Sequence, residues 1–312
     1  MARIVRTDRE LEMARVDATL RAAGHEVVVL PDGVSEATLC DAVRDAGLIL
    51  MCYTPITQRV IDAAPRLKGI LKYGVGIDAI DIEAAKARGI PVVNVPEYAE
   101  ETVAEGAMTL MLALAKKLKP IQRAMDGEGW AWPESRWMGL DLSGRTLGVI
   151  GLGRIGSRVA RMAGKGFRMR VLGYSPHSDA ARFADAGVER RTDLALLAAE
   201  SDFLSVHCVL NDETRGLVSA ACIEAMKPGI ILVNTARGAI VDENAMIEAL
   251  KSGHIRHAGL DVFNIEPLPA DHPLTKLENV TLSAHSAFRT PEASENLLRA
   301  AWEHCRRISK GK

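Results

Sequence analysis

A glycine-rich hexapeptide, Gly151-Leu152-Gly153-Arg154-Ile155-Gly156, lies in the middle of the 312-residue chain. It follows the apolar run at 147–150 and leads into a helix-like stretch at 154–163. This order of strand, glycine loop and helix suits the pyrophosphate of a dinucleotide. Glycines permit a tight turn and close backbone approach, and the helix N-terminus offers free N–H groups. A lone G-x-G-x-x-G is a weak signal, but these flanks make it a strong one.

The position of the glycine loop predicts a second domain. It is preceded by 150 residues, and 312 residues are too many for one ordinary core. We predict an α/β protein with two doubly wound parallel-sheet domains. A flavodoxin-like substrate domain would comprise residues 1–99 plus 286–312, and an inserted Rossmann cofactor domain would comprise residues 100–285.

Short apolar runs alternate with helical stretches on both sides of the glycine loop, which favours parallel strands with right-handed crossovers. In the first hundred residues, strands are predicted at 4–5, 27–30, 48–52, 69–72 and 91–95. From residue 145 onward, six strands are predicted, at 146–150, 170–174, 203–208, 230–234, 258–262 and 280–283. Helices are expected between them, the first at Glu10–Ala23 and the last at 291–308.

A long helix and a tryptophan-rich loop separate the two alternating regions. Thr102-Val103-Ala104-Glu105 matches a capping box with Thr102 as N-cap. The stretch 104–115 is apolar nearly all round, so it must be buried on most sides. Residues 127–142 hold three of the four tryptophans, in a loop that either packs on its own domain or reaches onto a second subunit. We therefore predict a homodimer formed through residues 102–142.

Composition excludes several classes of function. The net charge of -1 gives no support for nucleic-acid or membrane-surface binding, and no apolar run approaches the roughly 18 residues of a membrane span. The sequence starts in a strand and leaves no room for a signal peptide. Five scattered cysteines without a C-x-x-C pair predict reduced thiols and a cytoplasmic location.

Metal binding is not predicted. His207 and Cys208 are adjacent, but no third ligand lies near them in the sequence. His254 and His257 are three residues apart, and we expect both in a surface turn before a strand.

Three polar segments follow predicted strands, at the edge where open α/β sheets bind ligands. They contain Arg237, Glu266 and His285. Taken singly, each has an ordinary account as a surface charge, a solvated turn or a structural histidine. An arginine fork among small residues can also hold a carboxylate through two hydrogen bonds, and histidine titrates near neutral pH.

Together with other stretches, these segments closely resemble the D-isomer-specific 2-hydroxyacid dehydrogenases, which include glyoxylate/hydroxypyruvate reductases and 3-phosphoglycerate dehydrogenases. The stretches that carry the resemblance are residues 72–78, 102–105, 151–156, 206–208, 234–243, 260–267 and His285. The resemblance covers nearly the whole chain. It implies hydride transfer between a nicotinamide dinucleotide and a small 2-keto acid or D-2-hydroxy acid, typically glyoxylate or hydroxypyruvate.

The resemblance also implies roles for individual residues. His285 would be the acid or base, Glu266 would fix its tautomer and favour its charged form, and Arg237 would bind the substrate carboxylate and polarise its carbonyl. Val75 and Gly76 would bind the carboxylate through backbone N–H groups. Lys72 would contact a substrate anion, or is alternatively a plain surface charge.

The cofactor would be NAD or NADP. Asp261 matches the residue that binds the nicotinamide carboxamide. The residues expected to bind the cofactor are Thr102, Gly151, Gly153, Arg154, Ile155, Gly156, Ser175, His177, His207, Cys208, Thr214, Thr235, Ala236, Arg237, Asp261 and His285.

One departure bears on the choice of cofactor. NAD-specific relatives carry an acidic residue at the end of the second Rossmann strand, where this chain has Ser175. The missing charge removes repulsion toward a 2′-phosphate, which Ser175, His177 and Arg182 could bind. We therefore expect NADP to be accepted, and leave open which dinucleotide is preferred.

Other departures from the family pattern bear on the substrate and on the alternative functions. Ala284 and Ser286 replace a proline and a small apolar residue frequent beside the histidine, so the pocket wall could differ. A 3-phosphoglycerate dehydrogenase is an alternative, less favoured without the regulatory domain that many of those enzymes carry. A dinucleotide-sensing corepressor should have low-complexity flanks, which are not seen here. A formate- or phosphite-oxidising relative would need another substrate loop.

Overall fold

The computed structural model describes residues 2–8, 14–132 and 134–309. The chain forms two compact units, unit 1 (Met1–Ala99 with Thr290–Lys312) and unit 2 (Glu100–Arg289). Each unit contains one parallel sheet with helices in the connections, which confirms the predicted class of two doubly wound α/β domains.

Unit 1 is built on a five-stranded sheet. Its strands are β1 (Arg3–Arg6), β2 (Glu26–Val29), β3 (Leu48–Met51), β4 (Ile70–Lys72) and β5 (Val92–Asn94). They pair in the order β2-β1-β3-β4-β5, which is the flavodoxin-like order. Its helices are α1 (Ala14–Ala22), α2 (Glu36–Ala42), α3 (Gln58–Asp62), α4 (Ile82–Ala87) and the last helix of the chain, α13 (Pro291–Ser309). The predicted first helix starts at Glu10, but residues 9–13 lie outside the described residues.

Three of these helices are short and begin at a capping side chain. Ser35, Thr57 and Asp81 each accept a hydrogen bond from a backbone N–H in the first turn. Such caps satisfy N–H groups that have no partner within the helix. The central strands β3 and β4 are buried along their whole length, as expected for parallel strands covered on both faces.

Unit 2 is built on a seven-stranded parallel sheet. Its strands are β6 (Thr146–Ile150), β7 (Arg170–Tyr174), β8 (Glu189–Arg190), β9 (Phe203–Val206), β10 (Ile230–Asn234), β11 (Ile255–Leu260) and β12 (Val280–Leu282). Their order is β12-β11-β10-β9-β6-β7-β8. The chain runs outward from β6 to β8 and then returns to the other side of β6. The switch point therefore lies between β6 and β9, where open α/β sheets bind ligands.

The remaining helices connect these strands. They are α5 (Glu100–Ala115), α6 (Leu118–Glu128), α7 (Arg154–Arg161), α8 (Ala180–Ala186), α9 (Leu194–Glu200), α10 (Ala220–Glu224), α11 (Glu243–Ser252) and α12 (Pro273–Lys276). Helix α5 is largely buried and packs on α7, β10 and β11, as its apolar sequence predicts. No helix among the described residues is long and apolar enough to span a bilayer.

Three sequence-based predictions about these elements are wrong. Helix α5 begins at Glu100, so Thr102 is not its N-cap; two acidic residues in the first turn, Glu100 and Glu101, suit the positive end of the helix dipole. The sheet has seven strands because β8, two exposed charged residues, carries no apolar signal. His257 lies in β11 rather than in a turn, and burial lowers its pKa.

Candidate active site

The glycine loop joins β6 to α7, and two of its glycines are required by close packing. Gly151 has a φ of +89°, and a Cβ there would lie 2.5 Å from the backbone nitrogen of Cys208. A Cβ at Gly156 would lie 2.0 Å from the carbonyl oxygen of Gly151. A Cβ at Gly153, in contrast, would meet nothing within 4 Å. The backbone is thus crowded on its inner side and open at Gly153.

The open side of this loop fits a dinucleotide pyrophosphate. Gly153 is the N-cap of α7, and no side chain among the described residues caps that helix. The first turn of α7, which includes Arg154 and Ile155, therefore presents a helix N-terminus of the kind that binds anions. Arg154 is exposed there, with its Nε 3.9 Å from the Glu100 carboxylate.

A second observation on the same sheet edge fits a polar ligand. Thr235 directly follows β10, and its buried Oγ1 has no hydrogen-bond partner among the described residues. Buried hydroxyls without a partner are costly in a folded protein, so this atom suits a ligand. Together with the open helix N-terminus, it shows that these residues fit a nicotinamide dinucleotide.

Two expected cofactor residues, His207 and Cys208, pack beneath the glycine loop. The His207 N–H donates to the Ile150 carbonyl at 2.7 Å, and its Nε2 lies 2.8 Å from the Ser205 hydroxyl. Burial lowers the pKa of His207 to about 4 and raises the pKa of the Cys208 thiol to about 11. Both side chains are therefore neutral near pH 7. The described residues contain no group of three or more His, Cys, Asp or Glu that could hold a metal ion.

Three further expected cofactor residues lie in the loops after β9 and β10 and in helix α5. The Thr214 hydroxyl donates to the Val209 carbonyl at 2.6 Å and thus closes the turn after β9. The Ala236 N–H donates to Asn234 Oδ1 at 3.0 Å, which shapes the turn after β10. Thr102 lies in the first turn of α5.

The loops after β7 and β9 meet at one contact. Ser175 directly follows β7, and its hydroxyl lies 2.9 Å from the Ser178 hydroxyl. Nε2 of His177 lies 2.8 Å from Oε2 of Glu213, in the loop after β9. Glu213 could not be predicted from the sequence, because it lies 36 positions from His177 and no local pattern links the two residues.

The centre of the site is a contact between His285 and Glu266. Nδ1 of His285 and Oε2 of Glu266 are 2.7 Å apart, and Oε1 of Glu266 accepts the Phe263 N–H at 2.9 Å. Burial alone would raise the pKa of Glu266. The hydrogen bond and charge of His285, the Phe263 N–H and the Arg237 charge outweigh burial and lower that pKa. The carboxylate is therefore ionised near neutral pH, with His285 Nδ1 as its donor.

A buried carboxylate holds the backbone that carries His285. Asp261 is 1% exposed; its Oδ1 accepts the Ser283 hydroxyl at 2.6 Å and the Ser286 N–H at 2.8 Å, and its Oδ2 accepts the Ala287 N–H at 3.1 Å. The His285 N–H donates to the Asp261 carbonyl at 2.8 Å. His285 has a φ of +48°, which is uncommon for residues other than glycine, so these bonds hold a disfavoured conformation.

The imidazole has an aromatic neighbour that the sequence analysis also missed. The rings of His285 and Phe288 are 6.1 Å apart between centroids and inclined at 86°. Such an edge-to-face arrangement restricts how the imidazole can turn. Phe288 is only three residues from His285, but a phenylalanine in a loop gives no signal of its own.

Arg237 lies on the loop that follows β10. Asn234 Nδ2 donates to the Arg237 carbonyl at 2.9 Å, and Arg237 Nη1 donates to the Ala236 carbonyl at 2.7 Å. A Cβ at Gly238 would lie 2.2 Å from the carbonyl carbon of Phe263, so this loop is pressed against the one that leads to Glu266. The structure thus brings the loops after β10, β11 and β12 together at one sheet edge.

The expected substrate residues belong to unit 1. Lys72 is 6% exposed, its Nζ donates to the Cys52 carbonyl, and it lies 5.4 Å from the centroid of the Tyr53 ring. The alternative that Lys72 is a plain surface charge is therefore wrong. Val75 and Gly76 follow β4 in an irregular loop, and no described residue pairs with their backbone N–H groups. These two donors suit an anion.

Comparisons with known proteins agree with this geometry. The family model described as "D-isomer specific 2-hydroxyacid dehydrogenase, NAD binding domain" matches residues 108–287. A glyoxylate reductase of Korarchaeum cryptofilum is 40% identical over 89% of this chain and 84% of its own length. A D-3-phosphoglycerate dehydrogenase of Methanocaldococcus jannaschii is 40% identical over 91% of this chain but 54% of its own length. The chain thus spans about half the length of that relative.

Two solved structures carry ligands. D-lactate dehydrogenase of Aquifex aeolicus, complexed with NAD and lactic acid, has a TM-score of 0.88 and 29% identity, covering 99% of this chain and 96% of its own. The acyclic imino acid reductase Bsp5, in complex with NADPH and D-Arg, has a TM-score of 0.88 and 27% identity, covering 99% and 98%.

Proposed function

The chain belongs to the D-isomer specific 2-hydroxyacid dehydrogenase family, and from this membership we propose that it transfers a hydride between a nicotinamide dinucleotide and a small 2-keto acid or D-2-hydroxy acid. The observation that carries the proposal is the 2.7 Å contact between His285 and Glu266. It lies at the carboxyl edge of the sheet whose glycine loop fits the cofactor.

The residues of unit 2 supply the proton and the charge stabilisation. The nicotinamide, when bound, gives or takes the hydride at the substrate carbon. In reduction, His285 donates a proton from Nε2 to the carbonyl oxygen, and in the reverse direction it removes the hydroxyl proton. Glu266 accepts the Nδ1 hydrogen and stabilises the charged imidazole. Arg237 holds the substrate carboxylate and polarises the carbonyl.

The substrate we propose is a small 2-keto acid of the glyoxylate or hydroxypyruvate type. The glyoxylate reductase of K. cryptofilum, most of whose length the chain covers, supports it. Val75 and Gly76 would bind the substrate carboxylate through backbone N–H groups, and the buried charge of Lys72 favours an anion nearby. D-3-Phosphoglycerate is the alternative, supported by the M. jannaschii relative.

The cofactor we propose is NAD or NADP, with NADP accepted. Ser175 and Ser178 offer two hydroxyls where a carboxylate would repel a 2′-phosphate, and His177 offers an imidazole N–H. The NAD complex of D-lactate dehydrogenase and the NADPH complex of Bsp5 show that proteins of this fold bind either dinucleotide.

We also propose a homodimer formed through residues 102–142, which comprise most of α5, all of α6 and the arm, defined as residues 129–142. Trp130, Trp132 and Met138 on the arm are 56%, 70% and 72% exposed, which is unusual for such large apolar side chains. A cytoplasmic location stays a prediction, supported by the free thiols of Cys40, Cys52, Cys208 and Cys222; the side chain of Cys305 lies outside the described residues.

A direct assay tests the reaction. Purified protein is offered a panel of 2-keto acids with NADH or NADPH, the absorbance of the reduced nicotinamide is followed, and the product is analysed for D configuration. We expect glyoxylate or hydroxypyruvate to be reduced. His285→Ala should lower kcat by roughly a hundredfold or more, because the proton donor is lost, while the Kd for NADH stays within about threefold. Near-normal turnover in that variant would remove His285 from the mechanism.

A further inference from the structure

His177 and Glu213 lie on loops that flank the strand carrying the glycine loop. His177 follows β7, Glu213 follows β9, and β6 lies between these two strands. Their side chains meet with 2.8 Å between Nε2 and Oε2. The pair therefore joins the two loops across the carboxyl end of β6, which is the end that carries the glycine loop.

This position corresponds to the adenosine half of a bound dinucleotide. The pyrophosphate lies at the glycine loop, and the adenosine ribose lies toward the end of the next strand, β7. In NAD-specific sites a carboxylate at that strand end accepts hydrogen bonds from the ribose hydroxyls. Ser175 stands there instead, and its hydroxyl is engaged with Ser178. From the opposite loop, Glu213 places a carboxylate 2.8 Å from the imidazole of His177, which belongs to the loop that follows β7.

We propose that Glu213 sets the discrimination between NAD and NADP. Its carboxylate accepts the ribose hydroxyls of NAD, and it opposes the 2′-phosphate of NADP by charge repulsion and by holding His177. The inference rests on the proposed function only in that a nicotinamide dinucleotide must bind. In NAD-specific sites an acidic residue at the end of the second strand selects against NADP. In this protein Glu213, in the loop after β9, takes that role.

The solvent exposure of His177 and Glu213 limits how strongly Glu213 can weaken the binding of NADP. The side chains of His177 and Glu213 are 80% and 69% exposed, so solvent screens their contact and a phosphate can break it. NADP is therefore weakened rather than excluded. A carboxylate beside the 2′-phosphate at such an exposed position lowers the affinity for NADP by about tenfold. This effect should become smaller as the salt concentration rises.

The test measures the Kd of NADH and NADPH from nicotinamide fluorescence, with 2′,5′-ADP and 5′-AMP as competing probes of the adenosine site. In Glu213→Gln, we expect NADPH and 2′,5′-ADP to bind about tenfold more tightly, because the repelling charge is gone, while NADH binds several-fold more weakly, because the ribose hydroxyls lose a charged acceptor. His177→Ala should weaken NADPH several-fold. Raising the salt from about 0.05 to 0.5 M should reduce the gain in Glu213→Gln.

Asp212→Asn is the matched control, because Asp212 is the exposed neighbour of Glu213 and the substitution removes the same charge. Its ratio of NADPH to NADH affinity should stay at the wild-type value. An equal gain in Asp212→Asn, or an unchanged ratio in Glu213→Gln, overturns the inference. If the wild type binds neither dinucleotide, the proposed function falls as well. If the ratio shifts as expected but no 2-keto acid is reduced, the inference stands and the proposed function fails.

Discussion

At the scale of single residues, Glu266 decides how well His285 can carry a proton. Its pKa is lowered despite burial, so it is a full negative charge at neutral pH and stabilises the imidazolium formed during the reaction. The other carboxylate oxygen, Oε1, accepts a hydrogen bond from the Phe263 N–H, which holds the carboxylate in place. A neutral side chain of the same shape would keep the contact and lose the charge.

We therefore expect Glu266→Gln to lower kcat/KM for the keto acid by roughly 10- to 100-fold, the usual worth of a charge-assisted hydrogen bond. The Kd for NADH should change little. Steady-state kinetics and fluorescence titration measure the two effects. Glu248→Gln, which removes an exposed carboxylate on α11, is the control and should behave as wild type. Equal activity in both variants would show that Glu266 only shapes its loop.

Single residues also mark the limit of what the sequence predicts. His285 and Glu266 could be singled out because each follows a strand and matches a family motif, and the structure brings them into contact. That Asp261 clamps the His285 loop and that Glu213 meets His177 depends on contacts across 25 and 36 residues. Such contacts form only when the strands have taken their order in the sheet, so no local sequence pattern predicts them.

At the scale of elements, apolar runs predict the buried strands well because burial on both faces leaves little choice of residue. The same reasoning fails for β8, whose two residues are charged and exposed, and which pairs with the edge of the sheet at β7. The capping box at Thr102 predicts a start of α5 that is too late, because the acidic residues before it already form the first turn.

In the segment formed by β6, the glycine loop and α7, the effect of a substitution on stability can be separated from its effect on cofactor binding. Gly153→Ala adds a Cβ with nothing within 4 Å, at a φ of -76° that alanine tolerates, so the free energy of unfolding should change by less than about 0.5 kcal/mol. The same methyl group stands where the pyrophosphate approaches, so we expect NADH to bind at least about tenfold more weakly.

Gly156→Ala is the matched variant, in which the added methyl group meets the protein backbone instead of the cofactor. Its Cβ would lie 2.0 Å from the Gly151 carbonyl oxygen, so the backbone must shift and unfolding should become easier by about 1–3 kcal/mol. NADH binding should fall in this variant too. Urea denaturation and fluorescence titration distinguish the pair. If Gly153→Ala bound NADH as the wild type does, the open side of the loop would not be the pyrophosphate site.

At the scale of the whole molecule, the central position of the glycine loop predicts two α/β domains, because the first strand of a dinucleotide-binding sheet lies just before that loop and 150 residues precede it. The sheet orders confirm that class, with one flavodoxin-like order and one that switches direction at β6. How chains associate is not encoded in such periodicity. It depends on surface patches, and the exposed tryptophans of the arm are the evidence for one.

The arm therefore carries the prediction about assembly. Trp130 and Trp132 contact each other edge to face at 6.3 Å while most of both side chains faces solvent. If they anchor a second subunit, the double variant Trp130→Glu/Trp132→Glu should convert a dimer to a monomer, because two buried aromatic anchors become charges. Sedimentation equilibrium measures the mass. Leu196→Glu, at a 54% exposed leucine on α9, should leave the dimer intact. A wild-type monomer, or a double variant that stays dimeric, would contradict assembly through the arm.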